Sequence, residues 1–150
     1  NTTIIKPISN QKPKNAVILC HGYGGDGKDI SILANYWKNF LPDTIFICPD
    51  APEICSVNPS GFQWFDLTSD SADQILTQSI VAELKLNKFI DEVKENYNLE
   101  ADKISLCGFS QGSWDYSFPD YRMALRISWI GRNIAIIFKL MPLSVTIDYA

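Results

Sequence analysis

The sequence predicts an α/β fold in which a mostly parallel sheet is flanked by helices. Three observations carry that prediction. Continuous apolar runs of strand length recur at residues 15–20, 44–48 and 103–107, without the polar alternation of a half-exposed sheet. Stretches of helical periodicity lie between them. Glycine-bearing loops directly follow the first and third runs, at the strand ends where such sheets keep their functional loops.

Taken in order, Asn15-Ala16-Val17-Ile18-Leu19-Cys20 reads as a strand buried on both faces. It leads into His21-Gly22-Tyr23-Gly24-Gly25-Asp26-Gly27, a loop dense in glycine. Ile30, Leu33, Ala34, Trp37, Phe40 and Leu41 then recur at helical spacing, and Pro42 stops the pattern. Residues 44–48 form a second buried strand, ended by Pro49 and Pro52. Residues 49–69 read as a loop from their Pro, Asn and Gly content, and they carry the aromatic cluster Phe62, Trp64 and Phe65. Ser71-Ala72-Asp73-Gln74 has the form of a capping box. A helix follows through Leu76, Ile80, Leu84, Ile90, Val93 and Tyr97, in one or two pieces. The third strand, residues 103–107, runs straight into Gly108-Phe109-Ser110-Gln111-Gly112.

At 150 residues the chain suffices for one domain with a real core. A hydrophobic content of 46% and a charged content of 20% fit a folded protein. A net charge of −4 argues against sequence-independent binding to nucleic acid, which needs a basic face. No apolar stretch reaches the ~18 residues of a membrane span, and the first seven residues lack a signal peptide's apolar region. Cys20, Cys48, Cys55 and Cys107 contain no C-x-x-C pair, and three of them lie in or beside strand-like runs. They read as free thiols in a reducing, cytoplasmic compartment, not as zinc ligands.

Gly-x-Ser-x-Gly after a strand is the pattern of a nucleophile elbow. A serine at the apex of a tight strand-to-helix turn occupies a strained backbone conformation, so the residues two positions either side must be small. An ordinary glycine-rich turn is the bland alternative for this pattern alone. An attacking serine also needs oxyanion donors. The N–H of Gln111 is one candidate, and the N–H of Tyr23 in the earlier glycine loop is the other. A phosphate loop fits poorly, because Gly27-Lys28 is followed by Asp29 and not by Ser or Thr.

Four motifs occur together and in order: His21-Gly22-Tyr23-Gly24-Gly25, Pro49-Asp50-Ala51-Pro52-Glu53, Gln63-Trp64-Phe65-Asp66 and Gly108-Phe109-Ser110-Gln111-Gly112. In this respect the chain resembles the phospholipase/carboxylesterase family, the acyl-protein-thioesterase-like branch of the α/β-hydrolases, over about residues 14–112. The resemblance implies Ser110 as nucleophile, the amides of Tyr23 and Gln111 as oxyanion hole, and Trp64 and Phe65 beside the substrate pocket. It implies hydrolysis of small-molecule or acyl-chain esters or thioesters through an acyl-serine, with no cofactor and no metal. It also implies that His21 shapes its loop and is not the general base.

The resemblance stops at Gly112. The family's catalytic Asp and His lie on later strands, and only 38 residues follow Gly112 here, with His21 the single histidine. Loss of a triad histidine costs on the order of 10⁶ in kcat, so very weak activity or none is expected of these residues. The fold expected is therefore a partial α/β-hydrolase lacking its C-terminal strands. Residues 1–112 form the N-terminal part of the domain, and residues 113–150 a divergent or frame-shifted tail. Composition changes at the same point. Residues 1–112 hold nine Lys, no Arg and all five Glu, whereas residues 113–150 hold one Lys, all three Arg and no Glu. An Asp- and His-bearing continuation in another reading frame would establish a frame shift, and its absence in both other frames would exclude one. Pro119 should interrupt any helix there. Asp115, Asp120 and Asp148 read as surface carboxylates, and the apolar residues 134–138 as either strand or helix. A non-catalytic remnant that binds an acyl ligand or a partner is the alternative to an enzyme.

Overall fold

The computed structural model describes residues 1–113, 124–129 and 136–139, the last two segments through their backbone alone. Strands β1 (Thr2–Ile5), β2 (Asn15–Cys20), β3 (Thr44–Pro49), β6 (Ile104–Phe109), β7 (Ala124–Trp129) and β8 (Ile136–Lys139) form one sheet in the order β1-β3-β2-β6-β7-β8. A small hairpin, β4 (Glu53–Ile54) and β5 (Phe62–Gln63), stands apart. The two long helices are α1 (Gly27–Trp37), between β2 and β3, and α2 (Ala72–Tyr97), between β5 and β6.

The centre of the sheet, β3-β2-β6, is parallel, with Val17 opposite Phe46 and Cys20 opposite Gly108. β1 joins β3 antiparallel, and β7 and β8 extend the other side antiparallel. The sheet is thus mixed, with its parallel part in the middle. Strands with a two-residue side-chain period and helices on both faces divide the core in two. Val17, Leu19, Phe46, Cys48 and Cys107 pack on one face with Ala34, Ile30, Leu33 and Trp37 of α1. Ala16, Ile18, Cys20, Ile45, Ile47 and Ile104 pack on the other with Ile75, Ala82, Ile90 and Val93 of α2.

The helices differ in detail from their sequence reading. Helix α1 ends at Trp37, and Phe40 and Leu41 lie beyond it with Phe40 82% exposed, so the apolar period overran the helix. Helix α2 is one piece, and its N-cap Ser71 accepts from the Gln74 N–H at 3.4 Å. The reciprocal half of the capping box is absent, because the Gln74 side chain accepts from the Ser69 hydroxyl at 2.6 Å instead. The buried face of α2's first half is Ile75, Ser79 and Ala82, whereas Leu76, Ile80 and Leu84 are exposed. Both rows satisfy helical spacing, and periodicity alone does not choose between two apolar faces.

Two further differences concern segments that the sequence left without strands. The 49–69 loop contains the β4–β5 hairpin. Beyond the serine turn, 124–129 and 136–139 are strands, so that 136–138, open between strand and helix in the sequence, are strand. β7 covers the edge of β6 that would otherwise be exposed. Pro119, Asp115, Asp120 and Asp148 lie outside the described residues.

Candidate active site

β2 and β6 are neighbours, but the chain leaves β2 for β3 on one side and returns to β6 on the other. This is the topological switch point of the parallel strands, where α/β sheets open a crevice at the strands' carboxyl ends. Both glycine-bearing loops emerge there. A Cβ added to Gly22 would lie 3.1 Å from the Cβ of Ser110 and 3.1 Å from Cδ1 of Phe109, so the loops touch as their strand positions imply.

Ser110 has φ +52°, in the left-handed region that side chains disfavour by about 1–2 kcal/mol. A residue that bears a Cβ holds such a conformation only where its surroundings impose it. Gly112 is part of that imposition: a Cβ there would lie 2.6 Å from the His21 carbonyl oxygen and against that of Cys20. The turn therefore sits directly on the end of β2. Gln111 is buried, and its carboxamide holds the backbone of the neighbouring loop, accepting from the Trp64 N–H at 3.0 Å and donating to the Phe65 carbonyl at 2.6 Å.

The first loop is fixed by His21, whose ring is almost fully buried. Its Nε2 accepts from the Ala51 N–H at 2.9 Å. That bond sets the tautomer, so Nδ1 carries the proton and donates to the Gly22 carbonyl at 2.7 Å. Burial lowers the imidazole pKa; the Gly22 carbonyl and then Asp50, Asp26 and Asp29 oppose the shift. Both ring nitrogens are thus committed, Nδ1 within the loop and Nε2 to the loop after β3. Gly24, at φ +75°, needs the freedom of glycine, and it donates its N–H to the Phe62 carbonyl at 2.9 Å. The Phe62 N–H returns a bond to Gly25 at 2.8 Å, which fastens the β4–β5 hairpin to the loop. The Tyr23 hydroxyl donates to Asp66 at 3.3 Å. Bonds from the Thr68 N–H and hydroxyl, with smaller help from Ser56 and Tyr23, hold the Asp66 carboxyl below the usual carboxylate range.

Trp64 and Phe65 are buried beneath these loops and present no open wall. The Trp64 indole N–H donates to the His21 carbonyl at 2.9 Å, and the two rings lie 5.7 Å apart. Each of the four motifs therefore touches at least one other: His21 with Ala51 and Trp64, Trp64 and Phe65 with Gln111, and Gly112 with His21. The side-chain role of Gln111 was not visible in the sequence, which pointed only to its N–H.

All four cysteines are buried and unbridged, and burial pushes the Cys48 and Cys107 thiols up to about 12 and that of Cys20 higher. Thiols so desolvated are packing groups and not nucleophiles. Among the described residues no cluster of His, Cys, Asp or Glu could hold a metal ion, and no helix is long and apolar enough to cross a membrane.

Residues 2–114 match the model of the phospholipase/carboxylesterase family. The chain belongs to that family. It is 33% identical over 116 residues to acyl-protein thioesterase 1 of Candida albicans, a match covering 71% of this chain and 50% of the relative. It is 31% identical over 117 residues to the Schizosaccharomyces pombe protein of the same name, covering 75% and 50%. Among solved structures it is similar to esterase PE8, with a TM-score of 0.69 and 35% identity over 74% of this chain and 52% of the other. Zea mays acyl-protein thioesterase 2 gives a TM-score of 0.51 at 26% identity, over 75% and 47%. The chain thus spans about half the length of the relatives it matches, and its fold is that of the α/β-hydrolase esterases over the shared part.

Proposed function

We propose that this family member carries the nucleophile and oxyanion half of a hydrolase site for carboxylic esters or thioesters. The observation that carries the reading is the strained Ser110, held at φ +52° at the end of β6 beside the Gly22–Tyr23 loop. Ser110 is the nucleophile: its Oγ adds to the acyl carbon, and the carbonyl oxygen takes the negative charge. The backbone N–H groups of Tyr23 and Gln111 receive that charge as the oxyanion hole. The Oγ proton passes to solvent. Collapse then breaks the bond from the acyl carbon to the leaving oxygen or sulfur, which departs as alcohol or thiol by taking a proton from solvent, and leaves an acyl-serine for water to hydrolyse. Trp64 and Phe65 serve as the packed floor under the substrate.

His21 is unsuited to be the base, because its Nε2 lone pair is taken by the Ala51 N–H. It is also the chain's single histidine. On this reading turnover is slow, because the chain's one imidazole is engaged by the Ala51 N–H while the nucleophile is in place. The four buried, unbridged cysteines support a reducing, cytoplasmic setting.

A fluorophosphonate probe tests the assignment. Attack by Oγ forms an O–P bond, expels fluoride and releases a proton, which added imidazole can accept. Labelling mapped by mass spectrometry should be slow, confined to Ser110, accelerated by imidazole and absent in Ser110→Ala. An adduct elsewhere, or none with imidazole present, overturns the nucleophile assignment.

A further inference from the structure

The Gln111 carboxamide makes two bonds with the backbone of two successive residues in the loop after β5, accepting from the Trp64 N–H and donating to the Phe65 carbonyl. Trp64 is in turn bonded to the His21 carbonyl, so this loop is tied to the first glycine loop as well. Between Gln111 and β6 sits Ser110 in a conformation that local backbone preference would undo. Gly112 blocks retreat toward β2, but steric contact alone does not fix the rotation of the turn. The two amide bonds supply that fixation, because a buried acceptor and a buried donor must both be satisfied.

We propose that the Gln111 side chain is a positioning residue: it latches the serine turn to the 64–65 loop and so holds Ser110 strained and the turn's N–H groups aimed. The inference rests on the reading of Ser110 as nucleophile for its functional meaning, while the latch itself is a matter of geometry. The chemistry selects glutamine narrowly. Asn is one methylene short, Met has the length without polar atoms, and ionised Glu offers two acceptors, one of which would face the Phe65 carbonyl. Protonated Glu restores one acceptor and one donor in the same plane.

Gln111→Glu therefore turns the latch into a proton-operated one, which amide hydrogen exchange on the whole chain can read without turnover. Among the described residues the titratable or charged groups on the surrounding strands and loops include Cys20, His21, Tyr23, Asp50, Asp66 and Cys107, and division by the wild-type rate at each pH removes their contribution. Above the titration of the new carboxyl, exchange at residues 22, 64, 110 and 111 should speed about tenfold or more relative to Ile18. Below it, the ratio should return to within about threefold of wild type. Gln111→Met should stay fast at both pH values. Ile90→Val, a core change away from the latch, should leave the ratio unchanged. The latch is overturned if the ratio in Gln111→Glu does not depend on pH, or if Gln111→Met keeps the wild-type ratio. Should Gln111→Glu not fold at either pH, the Gln111→Met ratio decides alone. Failure of Ser110 labelling would remove the nucleophile reading and leave the latch standing, whereas unchanged exchange would do the reverse.

Discussion

Gly112→Ala is expected to destabilise the protein by about 3 kcal/mol or more, near the upper end of what overpacking costs. The added Cβ would meet the His21 carbonyl oxygen at 2.6 Å and the carbonyl carbon of Cys20 at 2.7 Å. These are backbone atoms at the end of the central strand β2, and they cannot rotate aside as a side chain would. Either the serine turn lifts from β2 or β2 moves within a sheet paired on both sides. Lifting the turn would also pull Gln111 from the 64–65 loop. Gly22→Ala is the useful contrast, since its Cβ would meet side-chain atoms of Phe109 and Ser110 at 3.1 Å. The Phe109 ring can turn aside, while the Ser110 Cβ, which moves only with its backbone, must give by a few tenths of an ångström, so about 1 kcal/mol is expected there. Urea unfolding of the two variants measures the difference, and equal midpoints would contradict the close approach at Gly112.

His21→Ala should cost about 3 kcal/mol, from the cavity left by a buried ring and from the orphaned Ala51 N–H. It should also remove a pH dependence. Burial lowers the imidazole pKa in the folded chain, while the unfolded chain keeps the ordinary 6.5. As pH falls below 6.5 the unfolded chain binds the proton first, so wild-type stability declines. The decline ends once pH has passed below the folded pKa. Above 6.5 the contribution is complete and flat. The slope cannot exceed about 1.4 kcal/mol per pH unit for one group. Asp66 and Asp43 have depressed pKa values, so their losses come in a lower, carboxylate window and are separable. Urea midpoints from pH 8 to 5 should slope in wild type and lie flat in His21→Ala. An equal slope in both would place the titrating group elsewhere.

The buried strands were the most legible part of the chain. Residues 15–20 matched β2 end to end, and β3 and β6 were found to within one or two residues, because a strand covered on both faces is apolar throughout. β1 was missed: it is a four-residue edge strand whose residues are exposed or half-buried, so no continuous apolar run marks it. The β4–β5 hairpin was missed because two residues per strand leave no pattern, and its pairing depends on the distant Gly24–Gly25 backbone. The juxtaposition of the two glycine loops was legible, since each follows a parallel strand. The latch was not, because it joins Gln111 to backbone 46 and 47 positions away, and backbone groups carry no side-chain signature. The mutual fit of four short motifs emerges only when the fold has assembled them.

Hydrolysis of a short-chain aryl ester by the purified chain and its Ser110→Ala variant, with and without added imidazole, bears most directly on the half-site. Without imidazole both proteins should run near background. Added imidazole should raise the wild-type rate alone, through the proposed nucleophile Ser110. Ser110-dependent turnover without imidazole would mean that a base is already in place. An equal response of both proteins to imidazole would mean that Ser110 is not the nucleophile.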